Sequence, residues 1–297
     1  MRKISECVPN FSEGRDRQKV SRITAPFQDR PDVHLLDVQT DADHNRMVAT
    51  VIGSPESVKS AVLEAMQQAI SLIDMQQHRG QHPRMGAVDV VPLIPIRDVT
   101  MDEAVALSKT LAQEAAGRFD LPVFLYERSA TAPHRANLAA VRKGQFEKMA
   151  EKMINPQWQP DFGPARLHPT AGATAVGARP PLVAFNVNLG TGDAAVADAI
   201  AKKVRFAGGG LRCCKAMGVS LEDRGIVQVS MNMTDFTQTA LYQAVEMIRA
   251  EARRYGIAVV GSEIVGLVPM QALIDCAAYY LGLENFRLKQ VLETHLI

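Results

Sequence analysis

The sequence has few cysteines and no long apolar run, and these two absences exclude several classes of protein. The cysteines form neither a paired disulfide framework nor a CxxC zinc motif, because they stand at positions 7, 213, 214 and 276. We expect them to be buried free thiols in a reducing compartment. No apolar stretch reaches the roughly 20 residues needed to span a bilayer. The sequence therefore predicts no membrane span.

An excess of charge of one sign is also missing. Lys and Arg number 33 against 32 Asp and Glu, and no run of like charges stands out. Because nucleic-acid-binding proteins usually carry a basic patch or stripe, we do not expect nucleic acid as a partner. The first residues, MRKISECVPNFSEG, lack the apolar core of a signal peptide. We therefore expect a cytoplasmic location.

Length and composition indicate a globular chain with two cores. The chain has 297 residues, of which 47% are hydrophobic and 22% charged. Single hydrophobic cores usually stop growing near this size. Residues 129–181 lose clear periodicity and contain several Pro and Gly, as functional loops and interdomain connections do. We therefore predict one subdomain over residues 1–181 and a second over 182–297, with the boundary near Pro181.

Hydrophobic spacing predicts the same order of elements in both halves. The first half is predicted to contain strands and helices in the order strand 3–10, helix after Ser12, strands 33–41 and 46–53, helix from Ser54-Pro55-Glu56, and strand 90–96. A helix with a capping box at Thr100 and Glu103, and a strand at 123–126, follow. The second half is predicted to run strand 182–189, helix 194–206, strands 211–220 and 226–233, a helix ending near Gly256, and strand 258–268.

This order is that of the ferredoxin-like split βαβ fold. We therefore predict an α/β (α+β) chain of two similar ferredoxin-like βαββαβ subdomains, each with an antiparallel sheet and helices on one face. The other faces are predicted to be polar, from three sets of alternating residues: Asp37, Gln39 and Asp41; Asn186 and Asn188; Gln228, Ser230 and Asn232. These positions either meet solvent or line a shared cleft, and we favour the cleft because both halves have such sets.

Chemically active side chains are densest at residues 77–86, QHRGQHPRMG. This segment lies between an amphipathic helix and a buried strand, and it contains two histidines, two arginines and two glycines. Histidine can exchange a proton near neutral pH, arginine can bind a carboxylate through two hydrogen bonds, and glycine lets a ligand approach the backbone. The segment suits an anionic, nitrogen-containing substrate, although a basic surface loop can have the same composition.

A metal site is the alternative interpretation of this segment, and the sequence disfavours it. His78 and His82 are four residues apart, but Gly80 and Pro83 interrupt a helix and no glutamate follows the first histidine. We therefore expect no metal. The glycine run at 208–210 lacks the Lys-Ser/Thr of a phosphate-binding loop and predicts a flexible turn. Four further histidines are isolated in the sequence, and we expect structural or solvent-exposed roles for them: His34, His44, His134 and His295.

Several long segments, in order along nearly the whole chain, resemble the formimidoyltransferase family, which includes the amino-terminal domain of formimidoyltransferase-cyclodeaminase. The segments are ECVPNFSEG (6–14), NR (45–46), HPRMGAVDV (82–90), PDFGP (160–164), GATAVGAR (172–179), AFNVNL (184–189), QVSMN (228–232) and VGSEIVGLVP (260–269). The resemblance implies two similar α/β subdomains, in agreement with the predicted repeat. It also implies transfer of a formimidoyl group from N-formimidoyl-L-glutamate to N5 of tetrahydrofolate, in histidine degradation and one-carbon metabolism.

The resemblance assigns roles to particular residues. The histidine of the HPRMG segment is the family's acid-base catalyst and corresponds here to His82. The segment after PDFG contributes to folate binding and corresponds to Gly163, Pro164, Ala165, Arg166, Leu167, His168, Pro169, Thr170, Ala171 and Gly172. Tetrahydrofolate is then a co-substrate, no metal is needed, and a homodimer is expected. The helical cyclodeaminase domain does not follow in this sequence, so we expect a separate enzyme to take the product.

The reaction itself suggests partners for His82. An amine leaves a tetrahedral adduct poorly unless it is protonated, and a histidine can take the proton from N5 and deliver one to the departing nitrogen. Arg46 and Arg84 are candidates for binding substrate carboxylates, and Asp37 or Asp41 for orienting His82 or the amidinium, although each could be a surface charge.

Two alternative functions stay open at this point. One is formyl transfer from N-formyl-glutamate, since the transferred groups differ only by O for NH. The other is a folate- or amino-acid-binding module without turnover, because ferredoxin-like pairs often serve in that way. Whether the protein transfers a formimidoyl or a formyl group, we expect folate to bind in a cleft between the two halves.

Overall fold

A computed structural model describes residues 3–295, which form two compact units that divide between Arg179 and Pro180. We call them unit 1 and unit 2. Each unit has its own hydrophobic core. In the part of the chain that the structure describes, no helix is both long and apolar enough to cross a membrane.

Unit 1 contains seven strands and five helices. Its strands are β1 (Ile4–Cys7), β2 (Asn10–Phe11), β3 (Val33–Asp41), β4 (Arg46–Gly53), β5 (Val88–Arg97), β6 (Val123–Glu127) and β7 (Thr174–Ala178). Its helices are α1 (Arg17–Thr24), α2 (Pro55–Leu72), α3 (Met101–Phe119), α4 (Leu138–Arg142) and α5 (Gln145–Lys152). The predicted first strand is present but divides into β1 and β2 around Val8 and Pro9.

The sheet of unit 1 has a ferredoxin-like part and an added part. β1 and β2 follow one another end to end, both between β4 and β5, and β3 pairs with the other edge of β4. All these pairings are antiparallel. β7 then pairs with β5, and β6 with β7, in parallel. The ferredoxin-like fold class is confirmed. The expectation of a wholly antiparallel sheet is wrong for unit 1, which has a mixed sheet.

The added strand β7 lies within the segment that sequence patterns predicted to be irregular. Its sequence, TAVGA, is rich in small residues and lacks polar alternation because both faces of the strand are buried. Helices α4 and α5, of five and eight residues, also lie in this segment. They cover the face of β5, β6 and β7 that is opposite to α2 and α3, over a small core that includes Phe124, Val141 and Met149. Helix α4, which ends at Arg142, packs against β6.

Local sequence explains where the two long helices begin. The predicted capping box at the start of α3 is present, since Thr100 accepts from the Glu103 N–H and Glu103 accepts from the Thr100 N–H. Helix α2 begins at Pro55 as predicted. Ser54 does not cap it through its side chain, because its hydroxyl hydrogen-bonds the hydroxyl of Ser57 instead.

Unit 2 repeats the ferredoxin-like part and adds a helix. It consists of β8 (Val183–Leu189), α6 (Ala194–Val204), β9 (Cys214–Leu221), β10 (Ile226–Met233), α7 (Leu241–Arg253), β11 (Val259–Val265) and α8 (Met270–Leu281). The sheet order is β11-β8-β10-β9, with every pairing antiparallel. The first strand is again central, so the predicted repeat of element order is also a repeat of topology. Helix α8 was not predicted.

The surface of unit 2 is apolar near the edge strand and the last long helix. Strand β11 ends the sheet order, and most of its residues are exposed. Several large side chains in and after this strand are also exposed: Val260, Val265, Leu267, Leu273, Tyr279, Tyr280 and Leu281. The four cysteines are free; Cys7 and Cys214 are buried, as predicted, whereas Cys213 and Cys276 are half-buried.

Candidate functional site

The segment that contains His82 is folded against the turn between β3 and β4. It connects α2 to β5, and the Gln81 N–H donates to the carbonyl of Asp43 at 3.3 Å. The Asn45 side chain donates to the carbonyl of Arg79 at 3.2 Å and accepts from the Gly14 N–H at 3.0 Å. These hydrogen bonds fix the two loops together, so that His82 lies beside Arg46, the first residue of β4.

His82 accepts a hydrogen bond from Arg46. The Nη1 of Arg46 lies 3.2 Å from the Nε2 of His82, and a guanidinium has donors only. Nε2 must therefore be unprotonated in this contact, and the proton of the neutral ring is on Nδ1. The imidazole is half-buried. In this state it is a neutral base whose electron pair at Nε2 accepts from Arg46.

Asp41 holds a second histidine next to His82. The Asp41 carboxylate accepts from the backbone N–H of His44 at 2.8 Å, and its other oxygen lies 2.5 Å from His44 Nδ1. The hydrogen bonds from His44 lower the pKa of Asp41. The His44 and His82 rings are edge-to-face with centroids 5.9 Å apart. The expectation that His44 is isolated is therefore wrong.

A buried ion pair supplies a second arginine to this cluster. Asp89, in β5, accepts from the Met85 N–H at 2.9 Å through one oxygen and pairs with Arg142 of α4 through the other. Burial raises the pKa of Asp89, an effect that the charge of Arg142 opposes. Burial and the charge of Arg142 also lower the pKa of Arg46. Asp89 lines the same cavity as Arg46 and His82, which places this ion pair next to the histidine.

The surroundings of His82 strongly disfavour its protonated form. Burial, followed by the positive charges of Arg46 and Arg142, lowers the pKa of His82 to about 3. Asp41 acts in the opposite direction but is the smallest of these influences. Without a bound anion, His82 is therefore neutral throughout the physiological pH range.

Arg84 lies in the same segment as His82 but is already engaged. Its guanidinium makes a two-fold ion pair with Glu147 at 2.7 and 3.0 Å and donates to Gln145 at 3.1 Å. Its Nε donates to Nδ1 of His78 at 3.2 Å, and Nε2 of the buried His78 donates to the carbonyl of Asn45 at 2.9 Å. His78 and Arg84 thus connect α5 to the β3–β4 turn. A substrate carboxylate at Arg84 would have to displace Glu147.

Residues 163–172 run from the end of α3 to the His82 segment. At the first end, Gly163 has a φ of +85°, and a Cβ there would lie 2.2 Å from the carbonyl oxygen of Leu121. At the second end, Gly172 has a φ of +74°, and a Cβ there would lie 2.3 Å from the carbonyl oxygen of Met85. Only glycine fits either position without a shift of the backbone. Pro164 is half-buried, and Ala165 and Arg166 are exposed.

The second end of residues 163–172 is hydrogen-bonded to the His82 segment. Thr170 accepts from the Met75 N–H at 2.8 Å, and Ala171 accepts from the Ala87 N–H at 2.8 Å. His168 turns the chain, since its Nδ1 accepts from the N–H of Ala171 at 2.9 Å. The predicted folate segment is therefore hydrogen-bonded to the backbone on both sides of His82, at Met75 before it and Ala87 after it.

Unit 2 has a polar network on the sheet face that was predicted to be polar. Glu263 of β11 accepts from Asn186 at 3.0 Å and from Gln228 at 2.7 Å, and Gln228 also donates to Asn188 at 2.9 Å. The two hydrogen bonds to Glu263 lower its pKa. Both asparagines and Gln228 are buried, whereas Glu263 is exposed.

Sequence patterns located part of this site and missed the rest. The structure brings Asp41, Arg46 and His82 together, places Asp37 farther along the same face of β3, and gives Arg84 a different partner. Asp89 and Arg142 were not among the predicted site residues. A charged residue inside the apolar run VDVV could have drawn attention to Asp89, but nothing local distinguishes Arg142. Among residues 3–295, no group of three His, Cys, Asp or Glu side chains is arranged to hold a metal ion.

Comparison with known proteins gives matches over the whole chain. Residues 4–179 match the model of the formiminotransferase domain, N-terminal subdomain, and residues 184–297 match that of the formiminotransferase domain. The chain is 53% identical to a glutamate formimidoyltransferase of Streptococcus pyogenes, with 100% of both chains covered. It is 44% identical to one from Thermoplasma acidophilum, with 98% and 96% covered. It is also 43% identical to the formimidoyltransferase-cyclodeaminase of Rattus norvegicus, over 96% of this chain and 54% of that protein.

Proposed function

Because the chain belongs to the formiminotransferase family, we propose that it transfers the formimidoyl group from N-formimidoyl-L-glutamate to N5 of tetrahydrofolate. The products are 5-formimidoyltetrahydrofolate and L-glutamate. The observation that carries the proposal is the 53% identity, over the full length of both chains, to a glutamate formimidoyltransferase. The arrangement of charged and titratable groups around His82 supports it.

In the proposed mechanism His82 moves the protons. N5 of tetrahydrofolate attacks the amidine carbon and loses its proton to Nε2 of His82, whose electron pair becomes available when the Arg46 N–H turns from it to the bound donor. The resulting imidazolium then gives a proton to the nitrogen of the departing glutamate, so that the C–N bond breaks with a neutral amine as leaving group. One histidine serves both steps, and no covalent intermediate with the protein is needed.

Residues 163–172 are proposed to contact the folate. Support comes from their attachment to both Met75 and Ala87, on either side of His82, and from the exposure of Ala165 and Arg166. Arg46 is proposed to contact the amino-acid donor, with Asp41 acting through His44. Arg84 is proposed to have a structural role, because Glu147 occupies its guanidinium.

We further infer a cytoplasmic homodimer without a bound metal. Support for a dimer comes from the apolar surface of unit 2, where edge strand β11 and the side chains of Tyr279, Tyr280 and Leu281 are exposed. A soluble protein rarely exposes so many large apolar side chains in one region unless a partner covers them.

The test is an absorbance assay of transfer to tetrahydrofolate with the formimidoyl and the formyl donors in parallel. We expect turnover with N-formimidoyl-L-glutamate and at least tenfold lower kcat/KM with N-formyl-L-glutamate, about 1.4 kcal/mol of discrimination. Equal or higher efficiency with the formyl donor would make the protein a formyltransferase. Folate binding without turnover of either donor would leave only the binding function.

A further inference from the structure

Two arginines and two carboxylates lie near His82, and one of the two arginines has no ion pair among the described residues. Among the described residues no carboxylate makes an ion pair with Arg46, whose guanidinium donates to His82 instead. Arg142 has one carboxylate partner, the buried Asp89. The remaining nearby carboxylate, Asp41, is engaged by His44. Arg46 is therefore the guanidinium of this cluster that could pair with an anion.

Arg142 also has a hydrogen-bond donor that is not used. Its Nη2 pairs with Asp89, but its Nε is buried and has no partner in the portion of the chain described here. Buried donors without an acceptor are rare in folded proteins, and many of them turn out to serve a ligand or water. The guanidinium cannot rotate freely toward another acceptor, because its partner Asp89, a residue of β5, is itself held by the Met85 N–H. Asp89 lines the same cavity as Arg46 and His82, so its partner Arg142 is one ion pair away from the unpaired guanidinium.

We propose that Arg142, together with Arg46, binds one carboxylate of the glutamate-derived donor beside His82. The inference rests on the proposed function for the identity of the anion. An arginine pair suits a carboxylate because guanidinium N–H groups form charge-assisted hydrogen bonds with its oxygens. Tetrahydrofolate also carries a carboxylate-bearing glutamyl end, so the experiment must separate the two sources.

Binding at this position would change the basicity of His82. The charged and titratable groups that act on its ring are Arg46 from β4, Arg142 from α4, and His44 and Asp41 from β3 and its turn. A carboxylate held by the two arginines places a negative charge where their positive charges now oppose protonation. The imidazolium is therefore stabilised when the donor is bound and disfavoured when it is absent. His82 becomes a competent proton carrier only in the occupied site.

The experiment measures L-glutamate binding and the His82 pKa by NMR on the full chain with 13C-labelled histidine. The first variant combines Arg142→Met with Asp89→Asn and removes both buried charges. The second, Arg142→Lys, keeps the positive charge and provides the measurement if the first variant does not fold. The control is Arg30→Met with Glu64→Gln, which removes a different arginine–carboxylate pair of unit 1 that does not act on His82.

In the unmodified protein we expect saturating L-glutamate to raise the His82 pKa, and L-glutamate dimethyl ester to leave it unchanged. In the double variant the free-protein pKa of His82 should be higher than in the unmodified protein. The Kd for L-glutamate should rise about 10- to 100-fold, as for loss of a charge-assisted hydrogen bond. Arg142→Lys should fall between the two, and the control should match the unmodified protein.

Three results would overturn the inference: no binding of L-glutamate to the unmodified protein, an unchanged Kd in both Arg142 variants, or a loss of affinity for tetrahydrofolate alone. The last result would assign Arg142 to the glutamyl end of the folate. Failure of the proposed function gives a different pattern, since L-glutamate would then bind and shift His82 while no transfer occurs from either donor.

Discussion

At the scale of single residues, His82 combines a neutral base with an environment that opposes its protonation. Arg46 donates to Nε2, and the nearby positive charges and burial lower the pKa of the ring to about 3. A group in this state cannot accept a proton at neutral pH without help from a bound anion. Catalysis and substrate charge are therefore linked at one side chain.

We predict that His82→Ala reduces kcat about 10²- to 10⁴-fold while the Kd for tetrahydrofolate stays unchanged, because the residue is proposed for proton transfer and not for binding. The measurements are steady-state kinetics and a fluorescence titration with folate. His34→Ala is the matched control, because this histidine is exposed on β3. A His82→Ala variant with full kcat would remove His82 from the mechanism.

The depressed pKa of His82 also predicts how stability depends on pH. Between pH 6.5 and about 3 the unfolded chain binds a proton at this residue and the folded chain does not. The free energy of unfolding therefore falls as pH falls through this window and receives no penalty above it. Urea denaturation at pH 7 and pH 4.5 should show a smaller acid-induced loss for His82→Gln than for the unmodified protein. Equal losses would show that the pKa is not depressed.

His78 has a different role from His82 despite the shared segment. It bridges the Asn45 carbonyl and the Nε of Arg84 while buried. We predict that His78→Ala lowers the free energy of unfolding by about 1–3 kcal/mol, since it leaves buried partners unsatisfied, but lowers kcat of the folded protein far less than His82→Ala does. Chemical denaturation measures the loss of stability, and kcat calculated per folded molecule measures the loss of activity, so the two effects can be separated. A kcat as low as that of His82→Ala would place His78 in the chemistry.

At the scale of elements, sequence patterns predicted regular segments well and the connection poorly. The strands and helices of the two ferredoxin-like parts follow periods of 2.0 and 3.6 residues, so their order could be predicted from residue spacing alone. Strand β7 could not, because its small residues are buried on both faces and its partners, β5 and β6, are far away in sequence. Arg142 lies in the same connection, which explains why it was missed with α4.

The folate segment depends on glycine at its attachment to the His82 segment. Gly172→Ala combines a positive φ with a Cβ 2.3 Å from the Met85 carbonyl oxygen, whereas Gly209→Ala has a positive φ and no atom within 4 Å of the new Cβ. We predict a loss of roughly 1 kcal/mol for Gly209→Ala and a clearly larger one for Gly172→Ala, with weaker folate binding. Thermal unfolding and folate titration are the measurements. Equal losses would mean that the Met85 backbone gives way.

At the scale of the whole molecule, each of two units has its own sheet and core, and they differ at one edge. In unit 1, β7 covers the edge of β5, whereas β11, the corresponding strand of unit 2, has no further strand beside it within residues 180–295. We predict a mass by light scattering of twice the 32.4 kDa chain. Tyr279→Ser with Leu281→Ser should lower that mass or weaken the association, and Leu36→Ser on exposed β3 is the control. A monomeric mass at micromolar concentration would refute the dimer.

The central position of β1 has a consequence for how the chain folds as it is synthesised. Its neighbours β4 and β5 both come later in the sequence, so the first strand must wait until residues 46–53 and then 88–97 have left the ribosome. The β5 edge is covered only by 174–178. Pairing over such sequence separations gives a high contact order and slow folding. Nearly all of unit 1 must therefore be made before its sheet is complete, and the incomplete sheet exposes a pairing edge to other nascent chains until then.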